Sequence, residues 1–187
     1  MKKNIRQVKL AVFCAIAALS ASTQAAETEE LRNESQQAVA SFKKADSSLT
    51  KFFDDSAGYA VFPNVGKGGL VVGGAHGKGL VYEKGNLIGQ ATMTQATIGA
   101  QAGGQTFAEV IFFETPAALE DFKTGKFEMS AEVSAVAAKE GASKNANYKD
   151  GVAVFALPKK GLMAQAAVGG QKFKFESLEP TGRPQTK

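Results

Sequence analysis

Three spacings of apolar side chains follow one another along the chain. Leu10 to Leu19 is a continuous apolar run, whereas Leu31, Ala38, Phe42, Ala45, Leu49 and Phe52 recur at steps of three, four or seven. From Tyr59 onward, short runs of Val, Leu, Ile and Phe are broken by glycine. The second pattern lines one face of a helix, with Gln36, Lys43, Lys44 and Lys51 elsewhere on the wheel. It predicts an amphipathic helix over 29–53 of about six turns, with Asp46-Ser47-Ser48 as a point of interruption where Asp or Ser caps a second helix. Its apolar face either covers a β-core or rests on a membrane surface.

The third pattern predicts strands. Tyr59–Phe62 and Leu70–Gly74 open the series, and Leu80–Glu83 and Leu87–Gln90 flank Lys84-Gly85-Asn86 as a hairpin. A second hairpin is expected to join Thr92–Ala100 to Thr106–Phe113 through Ala102-Gly103-Gly104-Gln105. Thr115 and Pro116 start a short helix, as cap and first helical residue, and Gly125 ends it. Phe127–Ala138 alternates like a strand, although its alanines also suit a helix. Val152–Leu157, Leu162–Val168 and Lys172–Phe175 complete the set. The expected class is α+β: a curved, mostly antiparallel sheet or partly closed barrel of about eight or nine strands, covered by one long N-terminal helix and one short one.

The first pattern is of another kind. Lys2, Lys3, Arg6 and Lys9 precede the apolar run, which is about half the twenty residues a membrane-spanning helix needs. Residues 1–25 therefore read as a cleaved signal peptide, with Thr23-Gln24-Ala25 before the cut, and the protein as periplasmic or secreted. Lipidation of Cys14 is disfavoured, because Ala11 and Phe13 stand where a lipoprotein signal carries Leu and a small residue. This leaves one domain over 26–178 and a tail over 179–187.

Removing the signal alters the charge balance. It takes four of the 22 basic residues and none of the 18 acidic ones, leaving eighteen of each sign, so the isoelectric point of about 9.1 belongs largely to the signal. A nucleic-acid partner loses its electrostatic basis. The only cysteine leaves as well, and stability must come from burial without disulfides.

Catalytic chemistry is sparse. The only histidine, His76, lies in Gly73-Gly74-Ala75-His76-Gly77-Lys78-Gly79, read as a turn, with no Cys, Asp or Glu at metal-site spacing. Gly66 and Gly68 are followed by Val71 where a dinucleotide loop needs glycine, and Gly77-Lys78 by Gly79 where a phosphate loop needs Ser or Thr, so no nucleotide is expected. Serine occurs in no nucleophile elbow. The reading is a non-enzyme without metal or cofactor.

The run Gly58-Tyr59-Ala60-Val61-Phe62-Pro63-Asn64-Val65-Gly66-Lys67-Gly68-Gly69, continued by residues 73–79, resembles the opening of the SYLF domain, also called the Ysc84-type actin-binding domain. Gly99-Ala100-Gln101, Val110-Ile111-Phe112-Phe113, residues 122–127 and Gly161-Leu162 agree in order, extending the resemblance over about 30–178. It implies a lipid-binding module whose opening amphipathic segment helps to bind membrane. Actin, a partner of eukaryotic members, is not expected for an exported chain. On this basis Lys43, Lys44 and Lys51 would approach the phosphates of anionic phospholipid while Phe42, Phe52 and Phe53 insert or pack, with Lys67 and Lys78 extending the basic face from neighbouring turns. The alternative is an interaction module that binds another envelope protein through strand edges or glycine-rich loops.

Overall fold

The computed structural model describes residues 26–69, 72–98, 105–127, 129, 134–160, 166–167 and 170–178. The expected signal peptide and tail lie outside them. The helical pattern is realised as two helices, α1 over 26–45 and α2 over Leu49–Asp55, broken at the predicted Asp46-Ser47-Ser48. Asp46, and not Ser48, supplies the capping oxygen. Its Oδ1 accepts from the Ser48 backbone N–H at 3.1 Å, whereas the Ser48 side chain makes no capping bond.

The strands are fewer and longer than the glycine breaks imply. They are β1 (Gly58–Gly69), β2 (Val72–Glu83), β3 (Asn86–Ile98), β4 (Gln105–Phe113), β5 (Ser134–Ala137), β6 (Val152–Lys160), β7 (Ala166–Ala167) and β8 (Gln171–Ser177). The order across the sheet is β7-β5-β6-β4-β1-β2-β3-β8. Seven of these make a mixed, open sheet, with β5 parallel to β6, and the two-residue β7 bridges the outer side of β5. The class is α+β, and the sheet is not closed.

Two expectations are corrected here. Residues 73–79 lie within β2 and are not a turn, so His76 is an exposed strand residue lying opposite Gly66 and Thr94. These glycines serve close approach. A Cβ on Gly79 would stand 2.6 Å from the Phe62 ring, and one on Gly89 would strike the Phe175 ring. The cleared stripe lets rings from separate strands meet, with Phe62 and Phe173 5.8 Å apart. The second correction concerns β3 and β4, which do not form a hairpin. β3 lies between β2 and β8, whereas β4 lies between β1 and β6. In place of β3, the apolar β4 takes a central position where both of its faces are buried, as its unbroken burial from Phe107 to Phe113 shows.

One face of the sheet gathers Phe62, Val65, Met93, Phe107, Ile111, Phe113 and Val154. It is covered by Leu119 and Phe122 of α3 (Pro116–Lys123) and by Phe127, Met129 and Ala135. The other face gathers Val61, Ala108, Val110, Phe112 and Phe155 beneath α1 and α2. As expected, Thr115 caps α3, its Oγ1 accepting from the Ala118 N–H at 3.2 Å, and Gly125 follows with φ +71°. Within 127–138 only Ser134–Ala137 is a described strand, and residues 128 and 130–133 lie outside the described set.

The β2–β3 turn is the expected hairpin. Glu83 pairs with Asn86, and Lys84 and Gly85 both have positive φ, 49° and 80°, as a type I′ turn requires. Lysine is poorly suited to that conformation and asparagine well suited. Lys84→Asn is expected to stabilise the fold by about 0.5 kcal/mol, read as a higher urea midpoint at unchanged slope; a lower midpoint contradicts this.

Candidate functional site

The break between α1 and α2 organises one end of the helical layer. Asp46 is fully buried, and besides Ser48 its carboxylate accepts from the Gly141 N–H at 3.2 Å and from the Ser143 N–H at 2.7 Å. The Ser48 hydroxyl donates to Asp46 Oδ1 and lies 2.6 Å from the Ser143 hydroxyl. Burial works against this charge, but the bonds from Ser48 and Ser143 outweigh it and hold the carboxyl well below the usual carboxylate range. The helix break is thereby tied to a short 3-10 helix, Ala142–Asn145, about a hundred residues away in sequence.

Between α2 and the segment 143–148 lies an open groove of about 940 Å³. Ser48, Lys51, Phe52 and Asp55 border it along α2, one face of a helix at steps of three and four. Ser143, Lys144, Asn147 and Tyr148 form the far wall, and Glu114 also lines it, close enough to act on Tyr148. Half-buried Phe52 and Tyr148 make an aromatic floor with ring centroids 5.5 Å apart. Burial, and after it Glu114 and Asp55, pushes the Tyr148 phenol up.

The eight residues proposed from sequence do not share one surface. Phe42 is fully buried and Phe53 nearly so, in the core beneath α1 and α2, and Phe52 packs on Phe112 and Phe155 at 5.4 and 5.2 Å. Of the two roles foreseen for these rings, insertion or packing, they occupy the packing one. Lys43 is half-buried, its ammonium 5.0 Å from the Phe53 ring centroid. Lys44 and Lys51 are exposed near the helix break.

Lys67 and Lys78 are strand residues, and the expected turns are absent there. Lys67 lies opposite Ala75 and shares its side of the sheet, away from α1. Lys78 pairs with Glu27 in a separate cleft of about 250 Å³ that also holds Glu30, Glu34, Lys174 and Glu176. The continuous basic face therefore divides. Strand alternation and the acidic first half of α1 separate Lys67 and Lys78 from the lysines at the other end. Among the described residues no group of three His, Cys, Asp or Glu is placed to hold a metal.

Comparison with known proteins bears on this architecture. Residues 94–178 match the family model of Ysc84, whose description is Las17-binding protein actin regulator. Over that segment the chain is similar to the Ysc84 family. The Ysc84 match takes in the last five residues of β3 and everything through β8, and so includes Glu114 and the 143–148 wall. The glycine-rich run 58–79, on which much of the sequence resemblance rests, precedes it. A relative, beta cell expansion factor A of Aeromonas veronii, is 35% identical over 124 residues. The alignment takes in 65% of this chain and 46% of that protein, so the chain spans about half the relative's length.

Sequence reasoning passed over Lys144, Tyr148, Asp55 and Glu114. Asp55 ends α2 itself, whereas no local pattern marks Lys144, Tyr148 and Glu114, because the Asp46 bonds and the β4–β6 pairing bring them to α2. Glu109 was also missed, although it left a signal. It is the one charge in the apolar run Phe107–Phe113, at the position that faces the core, and it is completely buried.

Proposed function

We propose that this protein is an exported, non-enzymatic module that associates with anionic phospholipid at an envelope membrane surface through the end of its helical layer. The observation that carries the reading is the grouping of Lys44, Lys51 and Lys144 around the Asp46 junction and the aromatic-floored groove. Each basic residue near an anionic surface contributes about 1 kcal/mol, which gives weak association that salt screens. The SYLF resemblance points the same way. A partner protein docking on a sheet edge is less well supported, since exposed Lys172 and Lys174 guard the outermost strand β8.

The test is flotation of the protein lacking residues 1–25 with vesicles of phosphatidylcholine alone or mixed with phosphatidylglycerol. Binding is expected only to the mixed vesicles, and it should fall steeply between low and high salt. Replacing Lys44, Lys51 and Lys144 together by Glu should weaken it by about a hundredfold or more. Absence of flotation on every vesicle would overturn the reading; undiminished flotation of the triple variant would move the contact elsewhere.

A further inference from the structure

The groove beside α2 is polarised along its length. Its closed end is the Ser48–Ser143 contact, with hydroxyls 2.6 Å apart; Lys51 lies three residues on from Ser48, and Lys144 directly follows Ser143. Its other end carries Asp55 and Glu114, both close enough to Tyr148 to act on its phenol. All four charges are exposed, and among the described residues none is in an ion pair with another. Lys51 and Asp55 are four residues apart on one helix, a rise of about 6 Å. The groove therefore presents two cations, then an aromatic floor, then two carboxylates, within the span of a small molecule.

A purely anionic ligand suits only half of this site. A phospholipid head group bearing both charges suits all of it. Its phosphate would meet Lys51 and Lys144, and an ammonium two carbons further on would reach Asp55 and Glu114 over the Phe52 and Tyr148 rings. The carboxylates and phenol oxygen are hydrogen-bond acceptors, which a primary ammonium can use and a trimethylated one cannot. We infer that the groove seats a single phosphoethanolamine head group of a bilayer phospholipid, with lysines at the phosphate and Asp55 and Glu114 at the amine. This rests on the membrane-surface reading above and names the lipid class that its groove recognises.

The test holds anionic charge constant. Vesicles with the same phosphatidylglycerol fraction are completed with either phosphatidylcholine or phosphatidylethanolamine, and flotation of the protein lacking residues 1–25 is compared. The ethanolamine vesicles are expected to bind about threefold to tenfold better. In the double variant Asp55→Asn, Glu114→Gln that ratio should fall to about one, while binding to the choline vesicles stays the same or rises because two negative charges are gone. Both side chains are exposed, and matching thermal melts of variant and parent check that the fold is kept. Equal binding of the parent to both vesicles overturns the inference and leaves the membrane reading standing. So does an ethanolamine preference that survives in the double variant, since lipid packing would then be its cause. Failure of the parent to float on either vesicle removes the membrane reading itself.

Discussion

Asp46→Ala is expected to destabilise the fold by about 4 kcal/mol, among the largest effects of any single polar substitution in this chain. The carboxylate receives the backbone N–H groups of Ser48, Gly141 and Ser143 and the Ser48 hydroxyl, and it does so fully buried. Alanine leaves three N–H groups facing a space with no acceptor. Each orphaned buried donor costs about 1–3 kcal/mol, and the costs are not additive because the segment 141–143 can partly relax. Asp46→Asn should fall between the two, since its oxygen still accepts while its amide confronts N–H donors. Urea denaturation of the three proteins at neutral pH measures the order; an alanine variant within about 1 kcal/mol of the parent would show the junction to be dispensable.

The same carboxyl has a pH signature with a definite sign. Its pKa in the fold is depressed below the ordinary 3.8, so its stabilising contribution is fully present above that value and is lost as pH falls below it. The gap between parent and Asp46→Asn should hold constant above about pH 5 and narrow in acid. Because Ser143 begins the far wall of the groove, the alanine variant should also weaken vesicle flotation under conditions where it remains folded.

How much of this was legible in the sequence depends on the range of the interaction that sets each feature. The interruption at Asp46, the Lys84-Gly85 turn and the Thr115-Pro116 helix start were readable because each is decided within a few residues, by a side-chain oxygen, a positive φ or a missing N–H. Strand lengths were misread for a non-local reason. A glycine in an apolar run marks a turn, a bulge or a close contact, and local sequence does not say which; Gly79 and Gly89 persist inside β2 and β3 because the Val61 carbonyl and Phe62, and the Phe175 ring, from neighbouring strands need their empty Cβ positions. The β3–β4 hairpin failed for a similar cause, since sequence adjacency favours pairing but β4 is buried on both faces and lies between β1 and β6. The candidate site shows the same division. Lys44 and Lys51 come from a helical pattern that holds, whereas their partners across the groove arrive from residues 114 and 143–148, which only the tertiary fold brings near.

Glu109 is expected to make the protein lose stability as pH rises from 4.5 to about 7, by about 3 kcal/mol in all. The side chain points into the core from the centre of β4. Gln171 donates its Nε2–H to Oε2 at 3.0 Å, and Oε1 has no hydrogen-bond partner among the described residues. Burial pushes its pKa up to about 7, against the smaller opposing pulls of the Gln171 bond and of Lys67. An acid with a raised folded pKa binds more protons in the folded state than in the unfolded state between its ordinary 4.5 and its shifted value. Stability therefore declines across that window and is level on either side of it. Glu109→Gln keeps the shape and an acceptor for Gln171 but carries no charge at any pH. Its urea midpoint should be nearly flat between about pH 5 and 8, close to the parent's at the lower end and above it at the upper. Parallel curves for the two proteins would show that the charge is accommodated at no cost. With Asp46 losing its contribution in acid and Glu109 opposing the fold toward neutrality, the summed contribution of these two carboxyls is most favourable between pH 3.8 and 4.5.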